Sequence, residues 1–575
     1  MTPAPPTHHA ILFPAADQVV HVADKPLPEL GPHSILLRTE ACGICFSDTK
    51  LLHAFDRHPR KSAVVAVEAG AAGLAGGGFD PGQSPEARLA ELAAVTSYVP
   101  APRPTVPGHE PVARIVAVGP AVAHHAVGER VLVQTDYRHL PTATSNAAFG
   151  YNLEGALQEY VVVDERVAID PATGERFLIP VKEAPAASQL ALIEPWACVE
   201  AAYAWPERQG LKPGGRLLVV TDPDRAPTGL DRLVAAAGPA RLARATASDP
   251  QLEPGLEPEL APGLEADDRF DDIVYFGSQA GVIETLGPRL AAGGLMSLVT
   301  GGAAIDRPVQ IDLGRVHYDL IRYCGTAGND PAEAYARLPA SGELRPGDRL
   351  GIVGAAGPMG LMHTMRAAAS GVPGLAIEAV DVDDARLAHL AATVGPFAAG
   401  HGVPIRFRNS NAEPLADDRP YGYLAVMVPA PALIAEAVRL VDDGGVVNAF
   451  AGFAVGTMAP LDLNAVVGRG VYLVGTSGSR IEDMKTMLAK VESGVIDTNV
   501  SLDAVTGMAG VADALAAVAG RTSGGKIMVY PSLPDLGYTP LAALADRLPQ
   551  VAAHLDAGRW SLAAEQALLA LGKGE

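Results

Sequence analysis

The chain has 575 residues, is 48% hydrophobic and carries a formal net charge of −21 at neutral pH. A chain this long divides into more than one domain, and its acidic balance leaves no basic excess to neutralise nucleic-acid phosphates. No apolar run approaches a membrane span, the first residues lack the basic and apolar segments of a secretion signal, and four cysteines are too few for a disulfide framework, so a soluble protein of the reducing cytoplasm is expected.

From about Ile11 to Val163 the apolar segments are short and β-branched, as in SILLRTEA, ARIVAVG, ERVLVQ and QEYVVV, with Gly, Pro and Asn between them. This pattern predicts a mostly β domain over residues 1–205. It contains three short strings: CGICFSD (Cys42 to Asp48), GHEPVARIVAVG (Gly108 to Gly119) and IEPWACVEAA (Ile193 to Ala202). Between the first two, about 55–105, lies an Ala-, Gly- and Pro-rich stretch. Its one expected helix is capped at Ser84, has Pro85 in its first turn, and carries Leu89 and Leu92 on one face.

From about Gly210 onward strands alternate with helices, and the chain repeats itself. KPGGRLLVV (Lys212 to Val220) and RPGDRLGIV (Arg345 to Val353) open the two copies. Gly293 and Gly294 match Gly444 and Gly445; IDL (Ile311 to Leu313) matches LDL (Leu461 to Leu463); CGTAG (Cys324 to Gly328) matches VGTSG (Val474 to Gly478). In each copy the aspartate of the DL pair precedes the GT glycine by 13 positions. The expected divisions are 206–345 and 346–478. Residues 479–575 hold the strand GKIMVYP and a helical tail. The acidic, Pro-rich passage Asp249 to Asp268 reads as a solvated loop inside the first copy.

LGIVGAAGPMG (Leu350 to Gly360) sets an apolar strand before a glycine-rich turn, and LMHTMRAAAS continues as a helix whose N-terminal N–H groups suit a pyrophosphate. In the G-x-G-x-x-G frame the first position is Ala355, with Gly357 and Gly360 in place and Gly354 one residue early. Asp381 ends the next strand 21 residues after Gly360, where a carboxylate accepts ribose hydroxyls and repels a 2′-phosphate. The expected cofactor site is Gly354, Gly357, Pro358, Met359, Gly360, Asp381 and Arg386, and the expected cofactor NAD rather than NADP. The first copy has Asp222, Pro223 and Asp224 where a phosphate would lie, so no dinucleotide is expected there.

A catalytic zinc needs about three N, S or O ligands and one open position, which Cys45, His109, Glu110 and Glu194 can supply. The three strings upstream of a nucleotide-binding turn resemble the zinc-dependent medium-chain alcohol and polyol dehydrogenases over most of the chain. The resemblance implies an α/β fold: a GroES-like, mostly β catalytic domain, in which 55–105 is an insertion and to which residues 479–575 return, with two tandem doubly wound Rossmann domains in place of one. It further implies Cys45 as thiolate ligand, His109 and Glu110 as the next two, and Glu194 at or near the metal. Ser47 would pass the substrate's hydroxyl proton onward, with Asp48 completing the motif. Lys50 stands where many relatives carry a relay histidine. The four-cysteine structural zinc of the family has no counterpart after Gly128 to Val133, leaving one catalytic zinc.

The implied activity is hydride transfer between NAD and a secondary alcohol or ketone. GPMGLMH and the segments Tyr538 to Leu548 and Gly558 to Leu569 resemble dehydrogenases and reductases of polyols and sugar phosphates, such as L-sorbose 1-phosphate reductase. Lys50, Arg57, Arg60 and Lys61 are the cations that could meet a substrate phosphate. Threonine- and butanediol-type dehydrogenases share the zinc motifs, so a small secondary alcohol or amino alcohol is an alternative substrate. A non-catalytic nucleotide sensor or scaffold is an alternative of another class. Relatives join cofactor sheets of two subunits through the GT strand; here the two copies are expected to dock within one chain as a monomer, with a homodimer as the other arrangement.

Overall fold

The computed structural model describes residues 4–65, 84–143, 145–170, 173–247, 268–415 and 419–572. The acidic passage, apart from Asp268, and the 66–83 part of the insertion lie outside the described residues. The chain forms an α/β protein of two compact units, one of Met1–Ala197 with Gly478–Glu575 and one of Cys198–Ser477.

The first unit is built on an eight-stranded sheet in the order Thr539–Pro540, Leu502–Thr506, Lys526–Val529, Ser34–Ile44, Glu110–Val118, Arg130–Val133 and Leu178–Pro180, with Tyr160–Asp164 also paired to Ser34–Ile44. Ser34–Ile44 is the pivot: nine of its eleven residues are buried, as its run of apolar and small side chains requires. Its antiparallel registers set Gly43 opposite Glu110, and Cys42 opposite both Pro111 and Val529. The strand Lys526–Val529 thus brings the C-terminal segment into the sheet that holds Ser34–Ile44. The helical tail is tied down by Glu565 on helix Leu562–Leu571, whose buried carboxylate accepts from Ala187 N at 2.6 Å, Ser188 N at 2.8 Å and the Tyr530 hydroxyl at 2.9 Å. In the insertion, helix Pro85–Ala93 is present, with Ser84 Oγ accepting from Ala87 N and Leu92 buried.

The second unit holds two parallel sheets. One runs Arg241–Thr246, Arg216–Thr221, Phe270–Phe276, Leu290–Val299, Arg322–Thr326; the other runs Ile405–Asn409, Ala376–Asp381, Arg349–Val353, Tyr421–Val426, Val441–Ala449, Tyr472–Val474. In each the strand that comes first in sequence lies inside the sheet, so the strand order reverses beside it. Among the described residues, the first sheet has no strand corresponding to Ile405–Asn409. One continuous core, including Val220, Tyr275, Leu298, Val353, Leu424 and Val447, runs through both sheets. A short antiparallel pair, Val309–Asp312 with Met458–Leu461, links them.

Candidate active site

Cys45 follows the end of Ser34–Ile44 and caps helix Phe46–Ala54; its N–H donates to Asp48 Oδ2 at 2.9 Å. His109 and Glu110 enter at the start of the neighbouring strand. One ligand atom each from Cys45, His109 and Glu110 lies within 4.8 Å of the others. All three, with Glu194, belong to the first unit, and Asp48 and Glu110 are wholly buried.

Asp48 fixes the histidine. Its Oδ1 lies 3.2 Å from His109 Nδ1, so the imidazole that donates through Nδ1 presents Nε2 to the site. Nε2 lies 3.0 Å from Ser47 Oγ. Burial alone would raise the Asp48 carboxyl, but the His109 ring and the Cys45 amide outweigh it and hold it below the usual carboxylate range. Glu110 meets a partner that the sequence reading does not contain: Lys526 Nζ lies 2.5 Å from its Oε1, from a strand 416 residues away. Glu110 Oε2 is buried without a hydrogen-bond partner. It lies over Gly43, where an added Cβ would stand 2.1 Å from it. Burial pushes Glu194 up to about 7, against the fields of His109 and Lys526.

Tyr151, also missed in the sequence, lies 5.5 Å from the His109 ring, centroid to centroid. Arg60 lies 5.6 Å from the Tyr151 ring centroid and pairs with Asp136 at 3.3 Å. His58 stacks at a tilt on the same ring, and burial, with Arg60 and Lys50, drives it down to about 4. Lys50 is half-buried with its ammonium 5.6 Å from the Phe46 ring centroid. Lys61 does not join this group of cations: it is fully buried and donates to the Val99 carbonyl, so the expectation that it meets a substrate phosphate is corrected.

The sulfur of half-buried Cys45, a buried imidazole nitrogen and buried carboxylate oxygens, one of them with no hydrogen-bond partner, fit a zinc ion. The strands Asp136–Pro141 and Asn146–Ala148 pair antiparallel, with Asp136 opposite Ala148.

In the second unit, strand Arg349–Val353 runs into the glycine-rich turn and helix Pro358–Ala368. Gly354 is in the left-handed region at φ +83°. A Cβ on Gly360 would lie 2.5 Å from Ala355 Cα and from two carbonyl oxygens, so only glycine allows the helix this close to the strand. Asp381 Oδ2 accepts from Ala356 N at 3.0 Å, and Arg386 Nη2 donates to the Ala356 carbonyl at 3.1 Å. The fold therefore brings Gly354, Gly357, Pro358, Met359, Gly360, Asp381 and Arg386 to one turn. At the equivalent crevice of the first sheet, side chains hydrogen-bond across the strand ends. Arg225 donates to the Thr300 and Val299 carbonyls, while Asp222 Oδ1 accepts from the Tyr275 hydroxyl at 2.6 Å and from Gln279 at 2.9 Å.

Residues 88–171 match the family described as the alcohol dehydrogenase GroES-like domain. Among curated relatives, the chain is 27% identical over 217 residues to the uncharacterised protein YggP of Escherichia coli strain K12, covering 35% of this chain and 49% of YggP. It is 27% identical over 248 residues to mannitol-1-phosphate 5-dehydrogenase of Aliivibrio fischeri, covering 39% of this chain and 57% of that protein. The chain thus spans about half the length of these relatives. Among solved structures, 2R,3R-butanediol dehydrogenase from Bacillus subtilis aligns at 15% identity, 91% of this chain, 100% of that one and a TM-score of 0.49. Acetophenone reductase from Geotrichum candidum, in complex with NAD, aligns at 12% identity, 92% and 98% coverage and a TM-score of 0.47.

Proposed function

We propose that this chain is a zinc-dependent, NAD-linked oxidoreductase that interconverts a secondary alcohol and a ketone in a polyol, sugar or sugar phosphate. The observation that carries the reading is the cluster of half-buried Cys45 with buried His109 and Glu110, braced by Asp48 and Lys526. The match of residues 88–171 to an alcohol dehydrogenase domain supports it. The likeness to a mannitol-1-phosphate dehydrogenase supports the sugar-phosphate class, and so do Arg60 and Lys50, whose fields converge on His58.

Cys45, His109 and a carboxylate from Glu110 or Glu194 would hold the metal; the 354–360 turn, Asp381 and Arg386 would hold the dinucleotide. When bound, the two groups supply a Lewis acid for the substrate oxygen and a hydride acceptor. Asp48 keeps His109 in one tautomer. Ser47 Oγ, 3.0 Å from His109 Nε2, is placed to take the proton of the substrate hydroxyl and hand it outward. Lys526 neutralises the Glu110 carboxylate, and the buried surroundings exclude water from these charges.

The test is a panel of sugar alcohols, their phosphates, butanediol and threonine, assayed with NAD and NADP. Turnover of a polyol or its phosphate with NAD is the expected result. Turnover confined to butanediol or threonine would replace the substrate class, and no turnover by zinc-loaded protein would overturn the enzymatic reading.

A further inference from the structure

The two parallel sheets of the second unit meet in a pattern that the motif repeat alone does not contain. From Ile305 and Val455 onward, matching residues of the two copies stand 150 positions apart, among them Asp312 and Asp462, Gly325 and Gly475. Each aspartate caps the helix that follows, Leu313–Tyr318 in one copy and Leu463–Arg469 in the other. The contacts between the copies are reciprocal. In the antiparallel pair, Val309 faces Leu461, the counterpart of Ile311, and Ile311 faces Ala459, the counterpart of Val309. Gln310 faces Pro460, its own counterpart.

The same exchange holds away from this pair. A Cβ on Gly325 would lie 2.7 Å from Val467, and one on Gly475 would lie 3.1 Å from the Cα of His317, the counterpart of Val467. Gly314 lies against the backbone of Ala454 and Val455. Its counterpart Asn464 hydrogen-bonds both the N–H and the carbonyl of Ile305, the counterpart of Val455. Such i-to-j and j-to-i contacts define an isologous interface, the signature of a two-fold axis. Both sheets also end at this boundary, in Arg322–Thr326 and Tyr472–Val474, and Arg322 donates to the Gly475 carbonyl at 2.9 Å.

We propose that a pseudo-two-fold axis passes between Gln310 and Pro460, and that the first sheet fills, within one chain, the edge of the second sheet that another copy of the chain would otherwise cover. Residues 206–345 then act as a built-in partner. This accounts for a copy that keeps its edge contacts and core while Arg225, Tyr275 and Gln279 close its crevice. An exposed sheet edge invites association, and an internal partner removes it in every chain at any concentration.

The pairing at the axis provides the test. Gln310 N–H is taken by Glu284 and Pro460 has no N–H, so the two form a pair without mutual hydrogen bonds. Such pairs have Cα atoms about 4.5 Å apart, within reach of a disulfide. In the full chain, the double variant Gln310→Cys with Pro460→Cys is expected to form a 310–460 bond inside one chain. It should migrate at the single-chain mass on a non-reducing gel, with the bond located by peptide mapping. The same bond formed between two chains, or a disulfide-linked dimer from either single variant, would overturn the proposal. Hydrogen exchange on the unsubstituted chain checks it without mutation. Protection of Val309–Asp312 and Met458–Leu461 should be unchanged on dilution, and protection lost on dilution would place the pairing between chains.

Discussion

At the scale of single residues, the site depends on two buried braces. Asp48 acts through His109, so Asp48→Asn should leave the fold intact and lower zinc affinity about 10- to 100-fold, measured by competition with a chromophoric chelator. Unchanged affinity would show that Asp48 does not orient the ring. Lys526→Met strips Glu110 of its counter-charge in a fully buried position. The metal-free chain should lose about 3–5 kcal/mol in urea unfolding, and Lys526→Arg should lose much less. A loss below about 1 kcal/mol for the methionine variant would mean that the pair contributes little. Cys45, His109 and Glu110 are legible in the sequence because each sits in a short string with a distinctive neighbour. Lys526 and Tyr151 are not: their roles arise from sheet register and ring packing, which join segments distant in the chain.

At the scale of elements, the shape of the 354–360 turn is readable in the sequence because glycine spacing reports backbone conformation directly. Gly354 needs a positive φ, and Gly360 has backbone where a side chain would be. Replacing Ala355 by the expected glycine is unnecessary, since its methyl is already packed in the core. Asp381→Ala should raise the KM for NAD about tenfold and narrow the preference over NADP, a shift absent if Asp381 serves only to brace Ala356. Asp222 and Pro223 are the sequence signal for expecting no dinucleotide at the first sheet; the contacts of Arg225 there have no such signal. Arg225 reaches carbonyls at the end of another strand, a contact with no local sequence signal. Titration with NADH should therefore saturate at one per chain; two would show that the first crevice opens.

At the scale of the whole molecule, buried histidines in both units tie stability to pH. Burial lowers His139 to about 4, and burial with Arg366 lowers His363 to about 3. Both titrate near 6.5 when unfolded, so their neutral forms are favoured by folding. The associated stability is complete above about pH 6.5 and falls as the pH drops toward 4, by about 2 kcal/mol for His139 at pH 5. Urea midpoints between pH 7.5 and 5 should fall accordingly, and the fall should shrink in His139→Gln.

The central claim is that Cys45, His109 and a buried carboxylate form a metal centre. Its most direct test is the zinc content of the purified, unchelated chain beside Cys45→Ser, with circular dichroism to confirm that both are folded. About one zinc per chain, lost in the folded Cys45→Ser variant, is the expected result. A folded parent chain that carries no zinc and takes up none when it is supplied would contradict it.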